Sequence, residues 1–113
     1  MVVVSNTSPI LNLAIIGRLD LLRQQFGQIQ IPPAVLDELK IDENRPGSQA
    51  QGAISSGWIQ VQPISNQPLV QLLKKTLDGG EAEAIALAIE LQAEWTLLDE
   101  RDGRRLPNRW DFR

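Results

Sequence analysis

The 113-residue chain contains no cysteine and no histidine. Disulfides, thiolate metal sites, a cysteine nucleophile and any histidine-based acid–base pair are therefore excluded. Its longest apolar runs, "MVVV" and "LNLAIIG", are too short to span a bilayer, and "MVVVSN" lacks both a basic start and a small-residue cleavage site. A cytoplasmic protein with no membrane segment is expected. With 11 basic against 14 acidic residues the formal charge is -3, so no basic face runs the length of the chain. There are no internal repeats and no low-complexity tracts. Whatever acid–base or metal chemistry the chain carries must rest on carboxylates.

At 113 residues, 42% of them hydrophobic, the chain has the size of one globular domain with a real core. "VVVS" reads as a strand buried on both faces. In "NTSPIL", Ser8 reads as a helix N-cap with Pro9 at the first helical position, and the apolar positions from Ile10 to Phe26 predict two helical segments broken near Gly17. "QIQIP" is a second strand, "PPAVLDELK" a helix, "IDENRPGSQ" a loop, "SQAQGAISS" a weaker helix and "WIQVQPI" a third strand, placed near an edge by Pro63. "PLVQLLKKTL", "GGEAEAIALAIELQ" and "WTLLD" complete the order with two helices and a fourth strand. Strands alternating with helices predict an α/β fold of three layers, α/β/α, around a parallel sheet of about four strands.

One charge in "GGEAEAIALAIELQ" stands in an unexpected place. At about 100° per residue, Glu81 shares its side of the helix with Ala84, Ile85 and Ala88, while Glu83 and Glu90 fall opposite. Glu81 is expected to point inward. Favourable acids at a helix start, about 0.3–1 kcal/mol each, offer a plain alternative for Asp78, Glu81 and Glu83. The topology favours a site, because ligands of open α/β sheets sit at the carboxyl ends of the strands. Asn6 follows the first strand, Asp99 ends the fourth, Glu81 opens a helix whose start lies at the same end, and Glu38 follows the second strand. Carboxylates gathered there would repel by roughly 4 kcal/mol per pair at 4 Å and an effective dielectric near 20. A hard cation, Mg²⁺ or Mn²⁺, relieves that repulsion, prefers oxygen donors and can activate a water against a phosphodiester.

Each of these positions also has an ordinary reading. Asn6 can be a turn or cap residue, Thr7 and Ser8 caps, and Glu38 a solvated helix residue flanked by Asp37 and Lys40. Arg101, Asp102, Arg104 and Arg105 can form a solvated charge run, and Trp58 and Trp95 packing residues. A nucleotide-binding reading fails on "DGGEAE", which has neither a phosphate-loop lysine nor GxGxxG spacing.

The segments "VVVSNTSPILNLAIIGRLDLL", "IPPAVLDEL" and "DGGEAEAIALAIELQAEWTLLDERDGRR" resemble the PIN-domain family of metal-dependent ribonucleases, in particular a branch with an NTSP or DTSP start and a GEAEAIALA helix. The likeness runs from Val2 to about Arg105. It implies a PIN-like domain over 1–105 and an atypical tail over 106–113. It also implies cleavage of single-stranded RNA with Mg²⁺ or Mn²⁺, and the role of toxin in a toxin–antitoxin pair with a small antitoxin protein as partner. Matched by motif, Glu38, Glu81 and Asp99 are the catalytic acids. Asn6, Glu38, Glu81, Asp99 and Asp102 are the metal ligands, and Thr7, Ser8, Arg101, Arg104 and Arg105 face RNA. Asn6 departs from the family's usual aspartate and removes a negative charge. The polar ending "RLPNRWDFR", with Pro107, stands where relatives continue with a strand and a helix, so the chain reads as C-terminally truncated. That leaves two readings, an endoribonuclease or a catalytically impaired PIN-like binding module. The fourth strand is expected to have an open edge with Trp95, Leu97 and Leu98 poorly covered, which favours a homodimer.

Overall fold

The computed structural model describes residues 1–41 and 49–98. In chain order they form β1 (Val3–Ser5), α1 (Thr7–Ile15), α2 (Asp20–Phe26), β2 (Ile29–Ile31), α3 (Pro33–Ile41), α4 (Ala50–Ser55), β3 (Ile59–Val61), α5 (Gln67–Leu73), α6 (Gly79–Leu91) and β4 (Trp95–Leu97). The four strands pair in parallel in the order β3-β2-β1-β4. The order, the layers and the edge position of β3 are those the sequence predicts. Among the described residues, no helix is long and apolar enough to cross a membrane.

Strand register assigns the two faces of the sheet, since side chains alternate along each strand. Val3, Ile29, Ile31, Ile59 and Leu97 join one core with Ile10, Ala14, Leu19, Val35, Leu39 and Trp58, which belong to the α1–α4 side. Val4 turns the other way, into a second core with Val70, Ala84, Leu87 and Ala88 of α5 and α6. β1 is thus buried on both faces, as its β-branched run requires. Over β2 and β3 the second face carries amides instead: Gln62 Nε2 donates to Gln30 Oε1 at 2.8 Å, and Gln30 Nε2 to Gln60 Oε1 at 3.3 Å.

Three expectations change. α1 starts at Thr7 with Asn6 as its N-cap residue, two residues earlier than a Ser8 cap would give. Pro9 still falls in the first turn, where N–H groups have no helical partner, so the earlier start carries no penalty. Leu97 and Leu98 are buried, because the first joins the α1–α4 core; of the three residues expected at the β4 edge, Trp95 alone stays exposed, at 40%. Finally, α6 is more than amphipathic. Ala82, Ala84, Ile85, Ala86, Leu87 and Ala88 are all buried, because the helix is wedged between the sheet, α3 and α5. Its alanines permit that close approach from several sides at once.

Candidate active site at the carboxyl edge of the sheet

The strand order reverses beside β1. The chain moves outward from β1 to β2 and β3, then returns past β1 to β4, and the helices change face with it. Crevices at such switch points, outside the carboxyl ends of the strands, are where open α/β sheets hold ligands. Asn6 stands at this point. It is 4% exposed, its backbone N–H donates to the Leu97 carbonyl at 2.9 Å, and its side chain makes no capping bond to α1. The cap reading therefore applies to its backbone, not to its amide.

Thr7 comes next, buried, and its hydroxyl donates to Glu38 Oε2. The family resemblance implies an RNA contact for Thr7; in the fold its hydroxyl donates to the Glu38 carboxylate. Ser8 lies half-buried in the first turn of α1. Glu38 is half-buried on α3 rather than a solvated outer residue. Its carboxyl group lies over the first turn of α6: a Cβ built on Gly80 would fall 2.6 Å from Glu38 Oε1 and 3.0 Å from Oε2. A helix start carries partial positive charge, so a carboxylate is favoured there.

Glu81 follows Gly80 at the third position of α6. Asp78 is the N-cap, and its Oδ1 accepts the Glu81 backbone N–H at 2.8 Å. The acid that stabilises this helix start is thus Asp78, while the Glu81 side chain is 6% exposed, as the helical wheel predicts. Thr7 links to Glu38, and Glu38 lies on the turn that carries Glu81, so three segments distant in sequence converge. Asp99, Arg101, Asp102, Arg104 and Arg105 lie outside the described residues.

Two positions that sequence reasoning passes over also shape the site. Gly80 is one; the available signal was a glycine pair inside the first turn of a helix, where glycine is disfavoured unless something approaches closely. Glu83 is the other. Its Oε1 accepts the Ala34 backbone N–H at 3.0 Å, so a glutamate of α6 satisfies the start of α3. No sequence signal links residues 34 and 83. Trp58 packs in the core, as expected, and Trp95 lies against Phe26 with ring centroids 6.3 Å apart.

Glu38, Glu81 and Asn6 offer two carboxylates and an amide oxygen, donors that suit a hard divalent cation. Among the described residues, no three His, Cys, Asp or Glu side chains gather as a metal-holding group. A family model described as a PIN domain matches residues 2–113. No curated protein and no solved structure matches the chain.

Proposed function

The chain belongs to the PIN-domain family, and from that premise we propose that it is an endoribonuclease that uses Mg²⁺ or Mn²⁺ to cut single-stranded RNA. We propose further that it is the toxin half of a toxin–antitoxin pair, partnered by a small antitoxin protein. The observation that carries this reading is the placement of the Glu38 carboxyl group on the turn of α6 that bears Glu81, next to the Asn6 and Thr7 segment. In this reading Asn6, Glu38 and Glu81 hold the cation together with Asp99 and Asp102. When bound, such a cation supplies an activated water and positive charge against the phosphodiester. The chain's own part falls to carboxylates: Glu38, Glu81 and Asp99 orient the water, and one of them takes its proton. Ser8, Arg101, Arg104 and Arg105 hold the RNA backbone through its phosphates.

Titration with Mn²⁺, followed by melting temperature, tests the reading. Binding at 100 times the dissociation constant stabilises by about 2.7 kcal/mol, so wild type should rise and Asp99→Asn should not. Asn6→Asp restores a negative charge and should tighten Mn²⁺ and speed cleavage of a single-stranded RNA. No rise in wild type, with no cleavage, overturns the proposal. Asn6 is also the specific observation behind a second reading, a PIN-like module that binds RNA without cutting it. Binding without cleavage in wild type, and cleavage gained by Asn6→Asp, would select that reading. A homodimer through the β4 edge is part of the proposal, supported by the exposure of Trp95; a monomer in sedimentation at micromolar concentration would remove it.

A further inference from the structure

We infer that Thr7 and Gly80 are positioning residues, a clamp that fixes the Glu38 carboxylate on the first turn of α6, and that Thr7 does not contact RNA. The consequence for activity rests on the nuclease reading above; the clamp itself does not.

A glutamate carboxylate at the end of three rotatable bonds holds no position unless its neighbours impose one. Glu38 is constrained from two sides. The Thr7 hydroxyl donates to Oε2, and Thr7 is a β-branched residue with a restricted χ1, itself buried at the start of α1. On the other side stands bare backbone. The three nearest atoms to a Cβ at Gly80 would be Glu38 Oε1 at 2.6 Å, Oε2 at 3.0 Å and Cδ at 3.1 Å. The whole carboxyl group therefore lies over the Gly80 Cα, in the space a side chain would fill.

The neighbouring glycine supplies an internal control. A Cβ at Gly79 would meet nothing closer than Lys74 Cε at 3.9 Å. Neither glycine has a positive φ, in contrast to Gly17, Gly27 and Gly57. Backbone conformation thus does not require glycine at 80; the Glu38 carboxyl group does for as long as it keeps this position, and a side chain at 80 would push it aside. Behind the carboxylate, α3 is tied to α6 by the bond from Ala34 N–H to Glu83 Oε1. Ala34 and Glu38 are four residues apart and share one face of α3. The helix that presents Glu38 is thus anchored on the helix against which Glu38 rests.

The test uses the full chain with Mn²⁺ alone as the metal probe. Partners that orient a metal ligand typically change affinity 10–100-fold when removed. Thr7→Val keeps the shape and removes the donor, and should weaken Mn²⁺ binding by about tenfold or more on that scale. Thr7→Ser keeps the donor and should restore binding. In EDTA, Thr7→Val should bind a short single-stranded oligoribonucleotide as wild type does; loss there with an intact Mn²⁺ response would make Thr7 an RNA contact and overturn the assignment. Gly80→Ala should lower the metal-free melting temperature, Gly79→Ala should not, and the Gly80→Ala effect should vanish in a Glu38→Ala background. An equal Gly80→Ala effect in both backgrounds overturns the clamp. If wild type gives no Mn²⁺ response, the nuclease reading fails alone. The clamp is then decided without metal: Thr7→Val and Glu38→Ala, each of which removes the bond, must be non-additive in melting temperature, and additivity refutes it.

Discussion

Helix α6 meets two other helices by the same device, and the two seams differ in what else they contain. Near its start, Glu83 accepts the Ala34 N–H of α3 at 3.0 Å. Seven residues on, Glu90 Oε1 accepts the N–H groups of Ser65 at 2.9 Å and Asn66 at 3.2 Å, where the chain enters α5. Both are carboxylates bonded to backbone donors at a helix start, which charge strengthens on both sides. The α5 seam has nothing more to explain: Asn66 caps Leu69, and the bonds lie at the surface. The α3 seam adds the Glu38 carboxyl, the Thr7 hydroxyl and the Glu81 side chain, of which Thr7 and Glu81 are buried. At the α5 seam one glutamate supplies the polar link beside the apolar packing of Val70 against α6. Glu38 and Glu81 are surplus to that task, and a buried carboxylate such as Glu81 is expensive to keep without a purpose.

The sharpest separation of the seams is in activity. Glu81→Gln and Glu38→Gln should each lower metal-dependent RNA cleavage by at least about 100-fold, since even the outer partners of metal ligands are worth 10–100-fold. Both variants should remain folded, because glutamine conserves the volume and one acceptor oxygen of each side chain. Glu90→Gln should leave cleavage unchanged. Cleavage assays on purified variants, with melting temperature as the folding control, decide it; equal losses at both seams would end the distinction.

Glu83 sits between the two cases. Glu83→Ala leaves the Ala34 N–H without its acceptor, which should cost about 1–2 kcal/mol, the range for a lost N-terminal cap. Because that bond holds the helix carrying Glu38, cleavage should also fall, by about tenfold on the scale of an outer-shell partner. Denaturant unfolding and cleavage rates measured on the same preparation check both numbers. A destabilised variant with full activity would show that α3 is held in place without Glu83.

The elements were legible in the sequence because each carries a local signal: β-branched runs for β1, alternation in "QIQIP" and "WIQVQ", and prolines and glycines at the breaks. Glu81 was legible for the same reason, since helical periodicity alone sets it about 200° from Glu83. The periodicity did not reveal that α6 is buried nearly all round, because alanine is equally at home on a stripe or in a wedge. Asp78 and Glu81 also have capping-box spacing, and the half from Asp78 Oδ1 to the Glu81 N–H does form. What stayed hidden is relational. Thr7 with Glu38, Glu38 with Gly80 and Glu83 with Ala34 are contacts across 31, 42 and 49 positions of chain. No propensity or period spans such separations.

The smallest effect belongs to the α5 seam and is the strictest test of its independence. Glu90→Ala removes the acceptor for two N–H groups, but these lie at the surface where water replaces it, so the loss should be about 0.5–1 kcal/mol. For a domain of this size that is a fall of a few degrees in melting temperature, roughly 3–6 °C per kcal/mol. The Mn²⁺ response should be untouched. Glu83 and Glu90, two turns apart on one stripe of α6, are separated by about 10 Å along the helix axis, beyond which mutational effects usually add within about 0.5 kcal/mol. The double variant Glu83→Ala/Glu90→Ala should therefore lose the sum of the two single changes in denaturant unfolding. A loss well above the sum would mean that α6 shifts as one rigid bar when either end is released. In that case the α5 seam, although it holds no functional carboxylate, would help to set where Glu81 stands.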